Sequence, residues 1–402
     1  MMKFKSNEKI KNFLSDFDKF VEYLSKRDVT LGKATKYIST KFLFEMNEIM
    51  SVKQMGVTPK SNQLSYHMIH LFYSLVVESK LFVELTVKGS KLVLKPTERV
   101  VLFKQLNELE KYIFLLEILW VDCDFERLEF QSFCNLNVSK AVIKMEAFHG
   151  EKAKKTIYID DFTRDISTLL LYFSYFGVMD VIEDVEFKLR YKIAKGFFVK
   201  EVILTPVGEK IIKILDKKRS LTDWNINHRK EYGEWNIVFE EEFFVPFKAI
   251  FQDIELERTL PRRKIKFNDG VYTFKVSLRK GTWSKIQLSA RETLHDLHIL
   301  IQQAFEFDDD HMYSFFMDGK PWSKYEFKCP IGDEGPCSDE VKIGELDLIE
   351  KQNFLYIFDY GDVWKFNIEV YEMKNGENEE CNPRIIESKG ERPQQYPDYD
   401  EW

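Results

Sequence analysis

The pattern that most constrains this chain is a change of hydrophobic period within its last third. Tyr272, Phe274, Val276 and Leu278 alternate with Thr273, Lys275, Ser277 and Arg279, the period-two signature of a strand with one buried face. A second strand-like run passes through Trp283. Leu294, Leu297, His298, Ile301 and Phe305 then share one side of a 3.6-residue period, which predicts an amphipathic helix. An acidic loop ends at His311, and the aromatic run FLYIFDYGDVWKFNIEV turns at Tyr360-Gly361-Asp362. Strand, strand, helix, strand and hairpin in that order predict an α+β domain, a β-grasp-like sheet covered by one helix.

Four elements in that order carry a likeness. They are Trp283 in the second strand, Leu294-x-x-Leu297-His298 in the helix, Asp308-Asp309-Asp310-His311, and Asp359-Tyr360-Gly361-Asp362-x-Trp364 in the hairpin. On these, residues 271–393 resemble the plasmid pRiA4b ORF-3-like family. The resemblance implies the same α+β class and no particular activity. Many members carry a histidine two places after the one matching His311 and another two places after the hairpin tryptophan. Here those positions are Tyr313 and Phe366.

The chemistry-bearing residues of this region admit two readings. His298 lies on the apolar stripe, where a neutral imidazole is tolerated once paired. His298, Asp310, His311, Asp359 and Asp362 could instead gather at one end of the sheet, two imidazoles with carboxylates, as a divalent metal or an acid–base pair requires. Gly361 suits the positive φ of a tight turn, and Trp283 and Trp364 read as plugs for an open sheet end.

The first half is mainly helical. Ile10, Phe13, Leu14, Phe17, Phe20, Val21 and Leu24 form one stripe over residues 8–26. Further on, helix, short strand, turn, short strand, proline and helix occur twice, over 61–109 and 162–218. KLVLKPTERVVLFKQL and EVILTPVGEKIIKIL align with Pro96 on Pro206, which reads as an internal duplication. A helix leading to a two-stranded wing and a flanking helix resembles the winged-helix arrangement, and Leu204-Thr205-Pro206-x-Gly208 resembles the end of a wing. The expected domains are 1–110 with the first unit, 111–232 with the second, and 233–402 with the C-terminal fold and an acidic tail.

Lys210, Lys213, Lys217, Lys218 and Arg219 crowd the helix that closes the second unit, and Lys152, Lys154 and Lys155 precede that unit. Phosphate neutralisation needs such clusters, although a net charge of −7 over 402 residues opposes it. DNA is therefore one candidate partner, and a protein partner or a second copy is the other. Five cysteines in a long chain suggest reduced thiols. Cys329, Cys337 and Cys381 could offer three thiolates to zinc but no fourth ligand, so no cofactor is expected. There is no apolar run of 18 residues and no export signal, which together predict a cytoplasmic protein without a membrane span. Phosphate-loop, His-Glu-x-x-His and Gly-x-Ser-x-Gly signatures are missing. The sequence reads as a non-catalytic binding or regulatory protein, with a hydrolase using the histidine–aspartate cluster as the alternative.

Overall fold

The computed structural model describes all residues except 1–3, 5–6, 34, 88–90, 126–127, 129–133, 148–155, 161–163, 193–195, 233, 235–236, 252, 263–266, 332–334, 377–380 and 397–402. Lys152, Lys154, Lys155 and the Gly89 turn lie outside the described residues. The chain divides into two compact units, residues 1–229 with 238–261, and residues 230–237 with 262–402. The expected boundary at 232/233 differs from this, because residues 238–261 add Phe243, Phe247 and Phe251 to the core of the first unit.

The first unit begins with α1 (Glu8–Lys26), started by the Asn7 side chain accepting from the Ile10 N–H. It continues through β1 (Thr30–Leu31), α2 (Thr40–Ile49), α3 (His67–Glu78), β2 (Phe82–Val87) and β3 (Lys91–Pro96). The strands form an antiparallel sheet in the order β1-β3-β2. After α4 (Arg99–Lys104), α5 (Glu108–Glu117) and α6 (Cys134–Ala147), the same series returns. It runs β4 (Thr156–Tyr158), α7 (Ser167–Tyr175), β5 (Met179–Glu183), α8 (Val185–Arg190), β6 (Val199–Leu204) and α9 (Pro206–Lys217). The second sheet has the order β4-β6-β5, matching the first strand for strand. Short helices α10 (Leu221–Trp224) and α11 (Ile226–Glu231) follow.

The duplication is legible at atomic detail, and its register corrects the alignment of the prolines. Thr97 donates its N–H to Leu81 O, and its hydroxyl bonds Lys80 O and Leu81 O. Thr205 repeats this with Val178 O and Gly177 O. Lys80 (φ 58) and Gly177 (φ 69) are the left-handed residues that stop α3 and α7. Thr97 therefore matches Thr205, which puts Pro96 opposite Leu204, two places from Pro206. Pro96 ends a strand facing Phe82, whereas Pro206 opens a helix, where its missing N–H costs nothing.

One core serves both repeats. Phe13 of α1 packs on Phe72 of α3 at 5.5 Å and on Phe176, just past α7, at 4.4 Å. Phe17 and Phe20 enclose Phe72 at 5.2 and 5.6 Å. The Tyr112 hydroxyl of α5 donates to Phe176 O at 2.8 Å. The long α1 stripe is wide because it faces two partners at once.

The second unit is built on β7 (Gly270–Arg279), β8 (Thr282–Ser289), α12 (Leu294–Phe305), β9 (Tyr313–Phe316), β10 (Glu326–Lys328), β11 (Asn353–Phe358), β12 (Trp364–Asn375) and β13 (Arg384–Lys389). The seven strands make one sheet in the order β10-β9-β11-β12-β7-β8-β13. Every ladder in it is antiparallel. α12 opens with a reciprocal Thr293–Asp296 capping box and buries Leu294, Leu297, His298 and Ile301. Leu294, Leu297 and Ile301 join Phe274, Ile286, Phe315, Phe354 and Ile368 in one core. The α+β class and the sheet covered by a helix are as the sequence predicts.

Candidate functional site

His298 sits at the centre of the most connected polar group in the second unit. It is fully buried and its ring lies flat on Tyr313, centroids 3.7 Å apart and planes 10° from parallel. Nδ1 meets the Tyr356 hydroxyl at 2.7 Å and Nε2 meets Asp309 Oδ1 at 2.9 Å. The Gln302 amide donates to Tyr356 Oη at 2.7 Å, leaving the Tyr356 O–H to donate to Nδ1. That fixes the tautomer, with the proton on Nε2 facing the Asp309 carboxylate. Burial pulls the His298 pKa down to about 4 despite Asp309, because the cation would lose its hydration. Burial also holds the Tyr356 phenol well above its ordinary value.

The expected cluster separates into two parts. The inner part uses Asp309, not Asp310. His311 forms the outer part, its Nε2 lying 3.7 Å from Asp310 Oδ1 and 3.5 Å from Asp359 Oδ2. Asp359 adopts a left-handed φ of 55° and accepts from the Gly361 and Asp362 N–H groups. Its carboxylate is thus the organiser of the turn, and Asp362 contributes its backbone. Asp310 is claimed by the C-terminal arm: the Tyr396 hydroxyl bonds it and holds its carboxyl below the usual carboxylate range. Gln395 fixes the arm by pairing with both the N–H and the C=O of Asp308. Among the described residues no group of three or more histidine, cysteine or acidic side chains is placed to hold a metal.

The positions where the family resemblance implies imidazoles are aromatic for a reason. Tyr313 supplies the ring beneath His298, and its hydroxyl joins His295 Nδ1 and Ser338 Oγ, each at 2.7 Å. Phe366 is fully buried against Phe305 at 4.9 Å. Sequence reasoning missed Asp309, Tyr313, Tyr356 and Gln302 as partners of His298. The alternation of β11 was the available signal, since it turns Tyr356 toward the helix.

One further expectation is corrected. Trp283 plugs no sheet end; it stands on the sheet face opposite α12, beneath Lys275 and Lys285. Cys329 follows β10 and Cys381 precedes β13, the two outer edges of the sheet. Six strand spacings of about 4.8 Å part them, so they cannot share an ion.

In the first unit, Lys210, Lys213, Lys217 and Lys218 are exposed while Val207, Ile211, Ile212 and Leu215 face the core. Lys217 is shared between Glu146 at 3.2 Å and Asp216 at 2.8 Å. Arg219 is no phosphate contact. It is 3% exposed, donates to Phe243 O, Glu242 O and Glu241, and lies 4.2 Å over Trp224. Its aliphatic stem and planar fork tie the end of α9 to residues 241–243. No described helix is long and apolar enough to cross a membrane.

A comparison with curated proteins finds no match. Among solved structures, a protein of unknown function, MM3350 from Methanosarcina mazei Go1, is 28% identical over 30% of this chain and 69% of that one, with a TM-score of 0.25. Residues 270–396 match the family model of the plasmid pRiA4b ORF-3-like protein, and the C-terminal region is a domain of that family.

Proposed function

We propose that the chain is a non-catalytic, cytoplasmic binding protein whose first unit is a fused pair of winged-helix-like modules, the second of which docks a protein partner through its wing. The repeated series and the shared sheet orders β1-β3-β2 and β4-β6-β5 support the winged-helix reading. The observation that carries the docking reading is α8, which lies between β5 and β6, whereas only three residues separate β2 from β3. None of its residues is buried. It presents Val185 and Leu189 at 54 and 73% exposure, with Tyr191 just past its end at 60%, and Ile182 and Tyr158 stand exposed on either side of Glu201 in the sheet. Exposed apolar side chains gathered on one short helix of a charged protein are characteristic of a contact area. The inner histidine network supports a structural role for His298, since both ring nitrogens are engaged and the ring is enclosed.

A photo-crosslinking side chain at position 189, set against one at position 213, tests the wing in the protein's native cytosol. A discrete adduct at 189 alone is expected, and Val185→Glu with Tyr191→Glu should abolish it without changing the thermal midpoint. Equal labelling at both positions, or none at 189, removes the reading.

The exposed row Lys210, Lys213, Lys217 and Lys218 favours a second reading, duplex DNA along α9. Each phosphate contact steepens the salt dependence by about 0.9 log units per tenfold change. Replacing Lys210, Lys213 and Lys218 by Ala should flatten that slope by up to three contacts. Unchanged slopes would exclude this face.

A further inference from the structure

The sheet face opposite α12 carries an arrangement that the folded domain does not explain by itself. Lys275 of β7 and Lys285 of β8 are direct cross-strand partners, and like charges in that relation repel. Both ammonium groups converge on the Trp283 indole, at 5.0 and 5.5 Å from its centroid. Trp283 in turn faces Lys389 of β13 across the next ladder. The hairpin that joins β7 to β8 adds the exposed Arg279 and Lys280. Three lysines thus meet around one indole in a chain whose net charge is −7.

Internal carboxylates answer only part of this charge. Glu387 takes Lys285 at 2.8 Å. Lys275 makes no ion pair among the described residues, although Glu369 is its neighbour on β12. A second aromatic ring continues the surface. Tyr371 stands at a bulge in β12, 47% exposed, with Lys285 Nζ 4.2 Å from its centroid. Indole, ammonium and phenol therefore follow one another across one partly exposed sheet face.

An anion alone would explain the lysines but not the aromatic rings between them. An acidic peptide would pair with the lysines and leave the rings without planar partners. A single-stranded nucleic acid supplies both chemistries, phosphates for the ammonium groups and bases that stack on the half-buried Trp283 and the exposed Tyr371. A duplex hides its bases and could use only the charge. We infer that the β12-β7-β8 face of the C-terminal domain binds single-stranded nucleic acid, with Trp283 and Tyr371 as stacking surfaces and Lys275 and Lys285 as phosphate contacts. This site is separate from the wing and from α9.

The test is fluorescence anisotropy of a fluorescein-labelled oligothymidylate against the full chain, with a duplex of the same length and polyglutamate as competitors. Two phosphate contacts at about 0.7 log units each predict roughly a sevenfold loss of affinity between 50 and 200 mM salt. Lys275→Glu should weaken binding at least tenfold and Trp283→Ala should do likewise, while Lys104→Glu, at an exposed position of α4, leaves it unchanged. Lys275 is partly exposed, so its variant should keep the wild-type thermal midpoint and separate loss of binding from loss of fold. No binding at 50 mM salt overturns the inference. So does equal competition by duplex or polyglutamate, or a Lys275→Glu variant that binds like wild type.

Discussion

At the scale of single residues, the molecule puts ionisable groups to structural use. His298 is the clearest instance, because its proton is placed by Tyr356 on one side and Asp309 on the other. Its pKa of about 4 in the fold lies below the ordinary 6.5, so the unfolded chain binds the proton first as pH falls. Its contribution to stability is therefore whole above about pH 6.5 and is lost progressively down to about pH 4. Urea denaturation of the second unit at pH 7 and pH 4.5, on wild type and His298→Phe, checks this. The wild type should lose more stability on acidification than the variant. Equal losses would place the sensitivity elsewhere. The apolar stripe of the helix made His298 recognisable as buried. Its acidic partner was not recognisable, since Asp308, Asp309 and Asp310 are alike in sequence and only the left-handed Glu306 that ends α12 decides which of them turns back toward the ring. Arg219 taught the converse, a cation in a lysine-rich run that is spent on backbone carbonyls.

At the scale of elements, the two repeats share their turns more closely than their sequences. The Thr97 and Thr205 hydroxyls both tie a strand's end to the residues that follow the preceding helix. The proline alignment drew attention to the right segments and missed the register by two residues. Proline marks a helix start and a strand end equally well, whereas the threonine's hydrogen bonds are visible only in three dimensions. Gly208 is specific to the second repeat. A Cβ there would overlap the Val178 carbonyl, so the first turn of α9 can lie against the β5 side only without a side chain. Gly208→Ala should destabilise the first unit by about 1–3 kcal/mol through overpacking. Thr205→Ala, which removes the cap on the Gly208 N–H, should cost about 1 kcal/mol. Thermal melts of both variants would show the order, and a neutral Gly208→Ala would mean that α9 can shift away from Val178.

At the scale of the whole molecule, the number of cores decides how the chain unfolds. Periodicity distinguished the helical half from the sheet-based third, but it suggested three domains where there are two cores. The reason lies in α1, whose stripe touches both repeats through Phe13, and in residues 243–251, which pack into the same cluster. Neither contact has a signal in sequence, because a wide apolar stripe does not say how many partners it meets. Phe72 belongs to the first repeat and Phe173 to the second, and both are buried in the shared core, while Phe315 is buried in the other. Phe72→Ala and Phe173→Ala should each remove about 3–5 kcal/mol from one and the same calorimetric transition. Phe315→Ala should lower a different transition and leave that one in place. A scan in which Phe72→Ala and Phe173→Ala shift separate transitions would mean that the repeats fold independently, and that α1 joins two domains instead of completing one.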